Sequence, residues 1–176
     1  AAERRHGPSL AAPGAILYPV RMAFRSRDPQ PFHGAKAALL LGPRLLILQR
    51  DDLPHIGHPG LWDLPGGGRE GRESPRETLA RETREEVGLD LADPALAADW
   101  LWEAPFPSAT RAGTVSWFFV LRLAPGAEAR IALGDEGQGW RLVTPAAFLV
   151  MPDAVGFLQD RLRLALRALG ETPFLA

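Results

Sequence analysis

Cysteine is absent from the 176 residues. Disulfides and thiolate metal sites are thereby excluded, and the composition suits an intracellular setting. No apolar run approaches the roughly 18 residues that a membrane-spanning helix needs. The opening stretch, rich in Ala, Arg and Pro, lacks the apolar centre of a secretory signal. The expectation is a cytoplasmic chain with no membrane partner, in which a loose, partly ordered extension over residues 1–31 precedes one domain over residues 32–176. A charge excess is missing too: 20 Lys and Arg stand against 21 Asp and Glu, a net charge of −1, which argues against a general nucleic-acid or membrane-surface binder. Lysine is nearly missing, since Lys36 stands alone among 19 arginines. With so much Ala, Gly and Pro, this reads as genomic base composition without functional meaning. What is present, 46% hydrophobic and 23% charged residues, is ordinary globular composition, long enough for one sizeable core.

Taken in order, residues 15–24 are apolar but interrupted by Pro19, as in an edge strand or a segment lying across the core. Pro29 and Pro31 mark a connector. Residues 35–41 and 44–48 are apolar runs joined by Gly42-Pro43, which predicts a hairpin. A polar loop over 51–60 follows, and then a short strand, Leu61-Trp62-Asp63-Leu64, delivers the chain into Pro65-Gly66-Gly67-Gly68. His55 and His58 lie in that loop without a third nitrogen or a thiolate nearby, so they read as loop residues that touch substrate rather than as metal ligands. Strands are expected at 99–103, at 114–123, which is aromatic enough to be central, and at 140–143 after the loop Gly134-Asp135-Glu136-Gly137-Gln138-Gly139. Val155, Leu158, Leu162 and Leu166 are spaced for a helix over 153–169 packed on a sheet. Strands mixed with helices in this order imply an α/β sandwich.

The stretch with most chemistry in it lies between Gly67 and Leu89. Ser74 and Glu77 can cap one another reciprocally, Pro75 suits a first helical position, and Gly88 can close a last turn, which predicts a helix over 75–87. At about 100° per residue, Glu82, Glu85 and Glu86 share one arc, while Leu79, Ala80, Thr83 and Val87 share the next. Like charges at these spacings cost a few tenths of a kcal/mol per pair. One offset is a solvated face laced with Glu77–Arg81 and Arg81–Glu85 pairs; another is a hard divalent cation, which prefers carboxylate oxygens.

The full pattern, Gly67, five residues, Glu73, seven residues, Arg81-Glu82, Thr83, Arg84, Glu85-Glu86, Val87, Gly88, Leu89, resembles the Nudix box G-x5-E-x7-R-E-U-x-E-E-x-G-U, where U is a bulky aliphatic. Its single departure is Thr83, where an aliphatic is usual. The resemblance implies a Nudix-type α/β/α sandwich with a mixed sheet, and a pyrophosphohydrolase that uses Mg²⁺ or alternatively Mn²⁺.

Both the residues and the resemblance point to Glu82, Glu85 and Glu86 as metal ligands, and the resemblance adds the Gly67 carbonyl. Arg81 then orients Glu85, while Glu73 steadies the loop and the helix start. Glu82, Glu85 and Glu136 are each candidates for the general base, which must lie near the attacking water. Glu136-Gly137-Gln138 resembles the stretch of MutT-like members whose loop glutamate reaches the metal site, so Glu136 is also a candidate ligand. The layout implies a small-molecule nucleotide substrate, foremost a nucleoside triphosphate cleaved to a monophosphate and pyrophosphate. Pro105, sixteen residues beyond Leu89, and Pro105-Phe106-Pro107-Ser108 carry an alternative, an ADP-ribose or NADH pyrophosphatase. Tyr18 is the sole tyrosine, so the one expected in dinucleoside polyphosphate hydrolases is missing. A reading of another class is a non-catalytic nucleotide-binding module. Arg50, Trp62, Phe106 and Trp117 are candidate base contacts, and a homodimer is compatible with the resemblance.

Overall fold

The hairpin signal at Gly42-Pro43 is realised. In a computed structural model that describes residues 31–108 and 111–170, β1 (Phe32–Leu41) turns through Gly42, at φ +59°, into the antiparallel β2 (Arg44–Gln49). The strand or crossing segment expected at 15–24 lies outside the described residues.

Every other strand is placed relative to β1. Along one edge it runs parallel to β6 (Val115–Leu123), in register from Gly34↔Ser116 to Leu41↔Leu123. Along the other edge its end pairs with β2, while Gly34, Ala35 and Lys36 pair with β4 (Gly66–Gly68). β5 (Asp99–Pro107) lies antiparallel on the far side of β6. β7 (Gly139–Val143) pairs with β2, and the two-residue β3 (Trp62–Asp63) meets its end. The product is a mixed, seven-stranded sheet.

Alternation along the strands splits the core in two. Ala37, Leu39 and Leu41 of β1 join Phe119 and Leu121 of β6 against Leu79 and Val87 of α1 (Pro75–Val87). Ala38 and Leu40 join Phe118 and Val120 against Phe148 of α2 (Pro145–Val150) and Leu158, Leu162 and Leu166 of α3 (Gly156–Ala168). Helices therefore cover both faces, giving the expected α/β sandwich.

Three local differences from the sequence reading have physical causes. β5 does not stop at Glu103: it pairs with β6 as far as Pro107↔Val115, because an edge strand tolerates Pro105 and Pro107 on its unpaired side. The short α2 went unforeseen, although Thr144-Pro145 is a start signal: the Thr144 hydroxyl accepts from the Ala147 N–H at 3.1 Å. The last helix begins at Gly156 rather than 153, since the Asp153 carbonyl accepts from Trp62 N–H and the Val155 N–H donates to the Trp62 carbonyl.

Thr83, the departure from the box, is fully buried and its hydroxyl has no hydrogen-bond partner among the described residues. Thr83→Val keeps the branched shape and removes that hydroxyl. The variant is expected to be more stable by about 1 kcal/mol in urea unfolding; a loss of stability would show that the hydroxyl is satisfied in solution.

Candidate active site

The acidic helix forms as its ends dictate. The Ser74 hydroxyl accepts from the Glu77 N–H, the Glu77 carboxylate accepts from the Ser74 N–H at 2.7 Å, and Gly88, at φ +69°, returns its N–H to the Arg84 carbonyl. Glu77 is committed to this cap. Of the two pairs in the solvated-face reading, only Arg81–Glu85 forms, at 2.8 Å.

Arg81 joins nearly everything on the acidic face. Its Nε donates to Glu73 Oε1 at 2.7 Å, Nη1 donates to Glu82 at 3.0 Å and Glu85 at 2.8 Å, and Nη2 donates to the Gly68 carbonyl at 2.7 Å. Glu73 also accepts from the Glu70 N–H and the Thr78 hydroxyl, and its bond to Arg81 holds the carboxyl at about 2. The helix is thus fastened to the glycine-rich segment before it.

Glu86 is placed differently. Its carboxylate accepts from the Gly66 N–H at 2.7 Å, and burial raises its pKa to about 7. Burial also raises Glu82, against the pull of Arg81. Gly66 lies at φ +120°, and a β-carbon there would sit 2.2 Å from the Ala35 carbonyl oxygen, so only glycine lets β4 lie this close to β1.

A loop closes over the other end of α1. Ala132 and Gly134 donate to the carbonyls of Val87 and Glu86, while Gly137 and Gln138 are tied to Asp51 and to the β2 end at Gln49. A β-carbon on Gly134 would lie 1.9 Å from the Glu85 carbonyl oxygen. Anchored at both ends, the loop walls a cleft of about 610 Å³ with Gly134, Asp135 and Glu136, facing Glu82, Glu85, Glu86, Arg81 and Gly67. Lys36 and Arg50 line it too. Lys36 donates to Asp63 at 3.0 Å, and Arg50 Nη1 donates to the same carboxylate oxygen at 2.7 Å. Burial opposes the charge on Asp63, but these two cations hold its carboxyl below the usual range.

Carboxylates facing a lysine and an arginine beside a glycine-rich turn form a site for an anionic chain such as a polyphosphate. The family model of the NUDIX domain matches residues 31–163. The chain belongs to the Nudix family. Relatives agree: it is 34% identical over 140 residues to an RNA pyrophosphohydrolase of Gluconacetobacter diazotrophicus, covering 70% of this chain and 81% of the relative. It is 42% identical over 59 residues to a putative 8-oxo-dGTP diphosphatase of Mycobacterium tuberculosis, covering 34% of this chain and 40% of that protein. The fold matches the MutT protein of Methanosarcina mazei with a TM-score of 0.60 at 23% identity, over 78% of this chain and 95% of that one. The protein is therefore an enzyme, a Nudix pyrophosphohydrolase, which sets aside the non-catalytic binding module.

The Nudix enzyme brings Glu82, Glu85, Glu86, Arg81, Gly67, Glu136 and Arg50 into one cleft. Three of the expected base contacts lie elsewhere. Trp62 is 4% exposed, in the core with Arg141 over its ring at 4.6 Å, because the two-residue β3 pins it between β2 and residues 153–155. Phe106 lines a separate cavity against α3, and Trp117 stacks on Phe119. His58 packs on Phe157. Lys36 and Asp135 were missed; the one lysine, set within an apolar strand, was the available signal.

Nudix hydrolases use divalent metal ions. The cleft offers a hard-oxygen donor set, and two of its carboxylates carry a burial cost that their neighbours offset only in part, which suits such an ion. Among the described residues no three acidic or histidine side chains already converge on one point, because Arg81 draws Glu82 and Glu85 to itself.

Two predictions follow from this geometry. Glu86, raised from 4.5 to about 7, favours the folded state while protonated; the penalty grows as pH rises from about 4.5 to about 7 and is complete above that, to at most about 3 kcal/mol. In metal-free buffer, Glu86→Gln should unfold at higher denaturant than wild type at pH 8 and at similar denaturant near pH 4; a pH-independent difference would refute the assignment. Gly134→Ala must push the loop off the Glu85 carbonyl, so turnover should fall by about 10²-fold with little change in melting temperature. Unchanged turnover would separate the loop from the chemistry.

Proposed function

We propose that this enzyme hydrolyses the phosphate chain of a nucleoside triphosphate, releasing a nucleoside monophosphate and pyrophosphate, with Mg²⁺ as cofactor and Mn²⁺ as a substitute. The observation that carries this reading is the placement of Lys36 and Arg50 across the cleft from the three helix glutamates. The cations suit phosphate oxygens, and the acids suit a hard cation bridging them. Glu82, Glu85, Glu86 and the Gly67 carbonyl would hold the ion, which when bound neutralises charge on the phosphates and acidifies the attacking water.

The side chains have distinct tasks. Arg81, braced by Glu73, holds Glu82 and Glu85 in position until they engage. Lys36 and Arg50, spaced by their shared bonds to Asp63, bind and orient the phosphate chain. Glu136 takes the proton from the attacking water: it lines the cleft opposite the helix and, among the described residues, has no partner occupying its oxygens, whereas Glu82 and Glu85 are engaged with Arg81. The name of one relative specifies a nucleoside triphosphate. Pro105, which carried the ADP-ribose and NADH alternative, sits on β5 opposite Trp117 and does not line the cleft.

A second reading has its own support. The RNA pyrophosphohydrolase relative matches over 81% of its length, so the same chemistry at the 5′ end of an RNA competes with the free nucleotide, against the expectation of no nucleic-acid partner.

The test is Mg²⁺-dependent pyrophosphate release from the common triphosphates, 8-oxo-dGTP and a 5′-triphosphorylated oligoribonucleotide, beside ADP-ribose, NADH and a diadenosine polyphosphate. Higher kcat/KM for a free triphosphate is expected. Preference for the oligonucleotide selects the second reading, and preference for ADP-ribose or NADH overturns both. Glu85→Gln and Glu136→Gln should each lower kcat by about 10²-fold or more. Activity persisting in excess chelator would exclude the cofactor.

A further inference from the structure

On the face of the sheet covered by α3 lies a second cavity, of about 440 Å³, with no part in the chemistry above. Its walls are Phe106 and Pro107 from the end of β5 and Phe157, Leu164 and Arg167 from α3, with Arg161 among them. Arg161 is 9% exposed, yet among the described residues no carboxylate pairs with it and no hydrogen bond engages its guanidinium. Its guanidinium lies between two rings, 4.7 Å from the centre of Phe106 and 4.8 Å from that of Phe157. The one acid in the wall, Asp160, is taken by Arg163 at 2.9 Å.

A buried guanidinium without a counter-ion is costly, and two cation–π contacts offset only part of that cost. Burial lowers its pKa to about 10, so it keeps its charge at neutral pH. The surroundings add positive potential rather than cancelling it. Arg167 opens onto the same cavity, and Arg161 and Arg111 both act on the imidazole of His33, whose buried Nε2 has no hydrogen-bond partner among the described residues. Five N–H donors in a planar fork match the oxygens of a phosphate. The cavity is too large for that group alone, and Phe106, Pro107, Phe157 and Leu164 give it an apolar side.

We propose that the Arg161 cavity is a second ligand site, which binds a phosphate monoester with its oxyanion on Arg161 and its apolar or aromatic body along Phe106, Phe157 and Leu164. The proposal is independent of the substrate assigned to the acidic cleft. A nucleoside monophosphate and a simple aryl phosphate share the chemistry, and the test separates them.

Calorimetric titration of the full chain with phenyl phosphate and with a nucleoside 5′-monophosphate, in excess EDTA, isolates this site, because metal-free carboxylates in the other cleft repel phosphate. Wild type should bind phenyl phosphate, Arg161→Leu should bind it at least about tenfold more weakly, and Glu85→Gln should bind as wild type does. Tighter binding of the nucleoside monophosphate assigns the body to a nucleoside. No binding by wild type, equal binding by Arg161→Leu, or tighter binding in Glu85→Gln, which would place the ligand in the acidic cleft, overturns the proposal. Should Arg161→Leu fail to fold, Phe157→Ala and Arg167→Ala, both at exposed positions, take its place, and binding undiminished in both is equally fatal. Failure here leaves the hydrolase assay untouched, so the two readings fail separately.

Discussion

The acidic cleft depends on one guanidinium. Arg81 is tied to Glu73, to the Gly68 carbonyl, to Glu82 and to Glu85, so a single planar group fixes the helix against the glycine-rich segment before it. Without that cation, three acids within two turns would repel one another. With it, the acids tolerate partial burial, and Glu73 spends its charge on structure rather than on substrate. The same contact explains why the carboxylates do not converge: their counter-ion is a protein side chain lying between them.

The sheet supplies the second half of the arrangement. β1 pairs with β4 at one end and β2 at the other, which sets the Gly66 N–H beside Glu86 and brings Lys36 to the cleft. The loop after β6 then crosses to α1 and β2, held by backbone bonds at residues 132, 134 and 138. Segments far apart in the chain, Glu86 and Glu136 among them, become opposite walls of one site. The separation of Lys36 and Arg50 is likewise fixed at a distance, by the buried carboxylate that both share.

The two faces of the sheet carry charge in opposite ways. On the α1 side, acids outnumber the cations near them and await positive charge. Against α3 the imbalance is reversed, with Arg161 buried between aromatic rings and no acid to meet it among the described residues. Both are local departures from the neutral pairing that a buried charge requires, and both lie beside cavities.

The helix over 75–87 could be read from the chain because everything that defines it is local: a reciprocal cap, a proline, a terminal glycine, and a period that separates Leu79, Thr83 and Val87 from the glutamates. The same holds for the hairpin at Gly42 and for the α/β class. The extension of β5 through two prolines, the start of α3 at Gly156 and the burial of Trp62 were not legible, since each is set by a partner distant in sequence: β6, Trp62 and residues 153–155. Sequence by itself determined which residues bear the charge and how they are spaced along one helix. Only the tertiary structure decided what they face, namely Lys36 and Arg50 for the acids, an aromatic-walled cavity for Arg161, and the core rather than a ligand for Trp62, because burial and the identity of a neighbouring charge are properties of packing between segments.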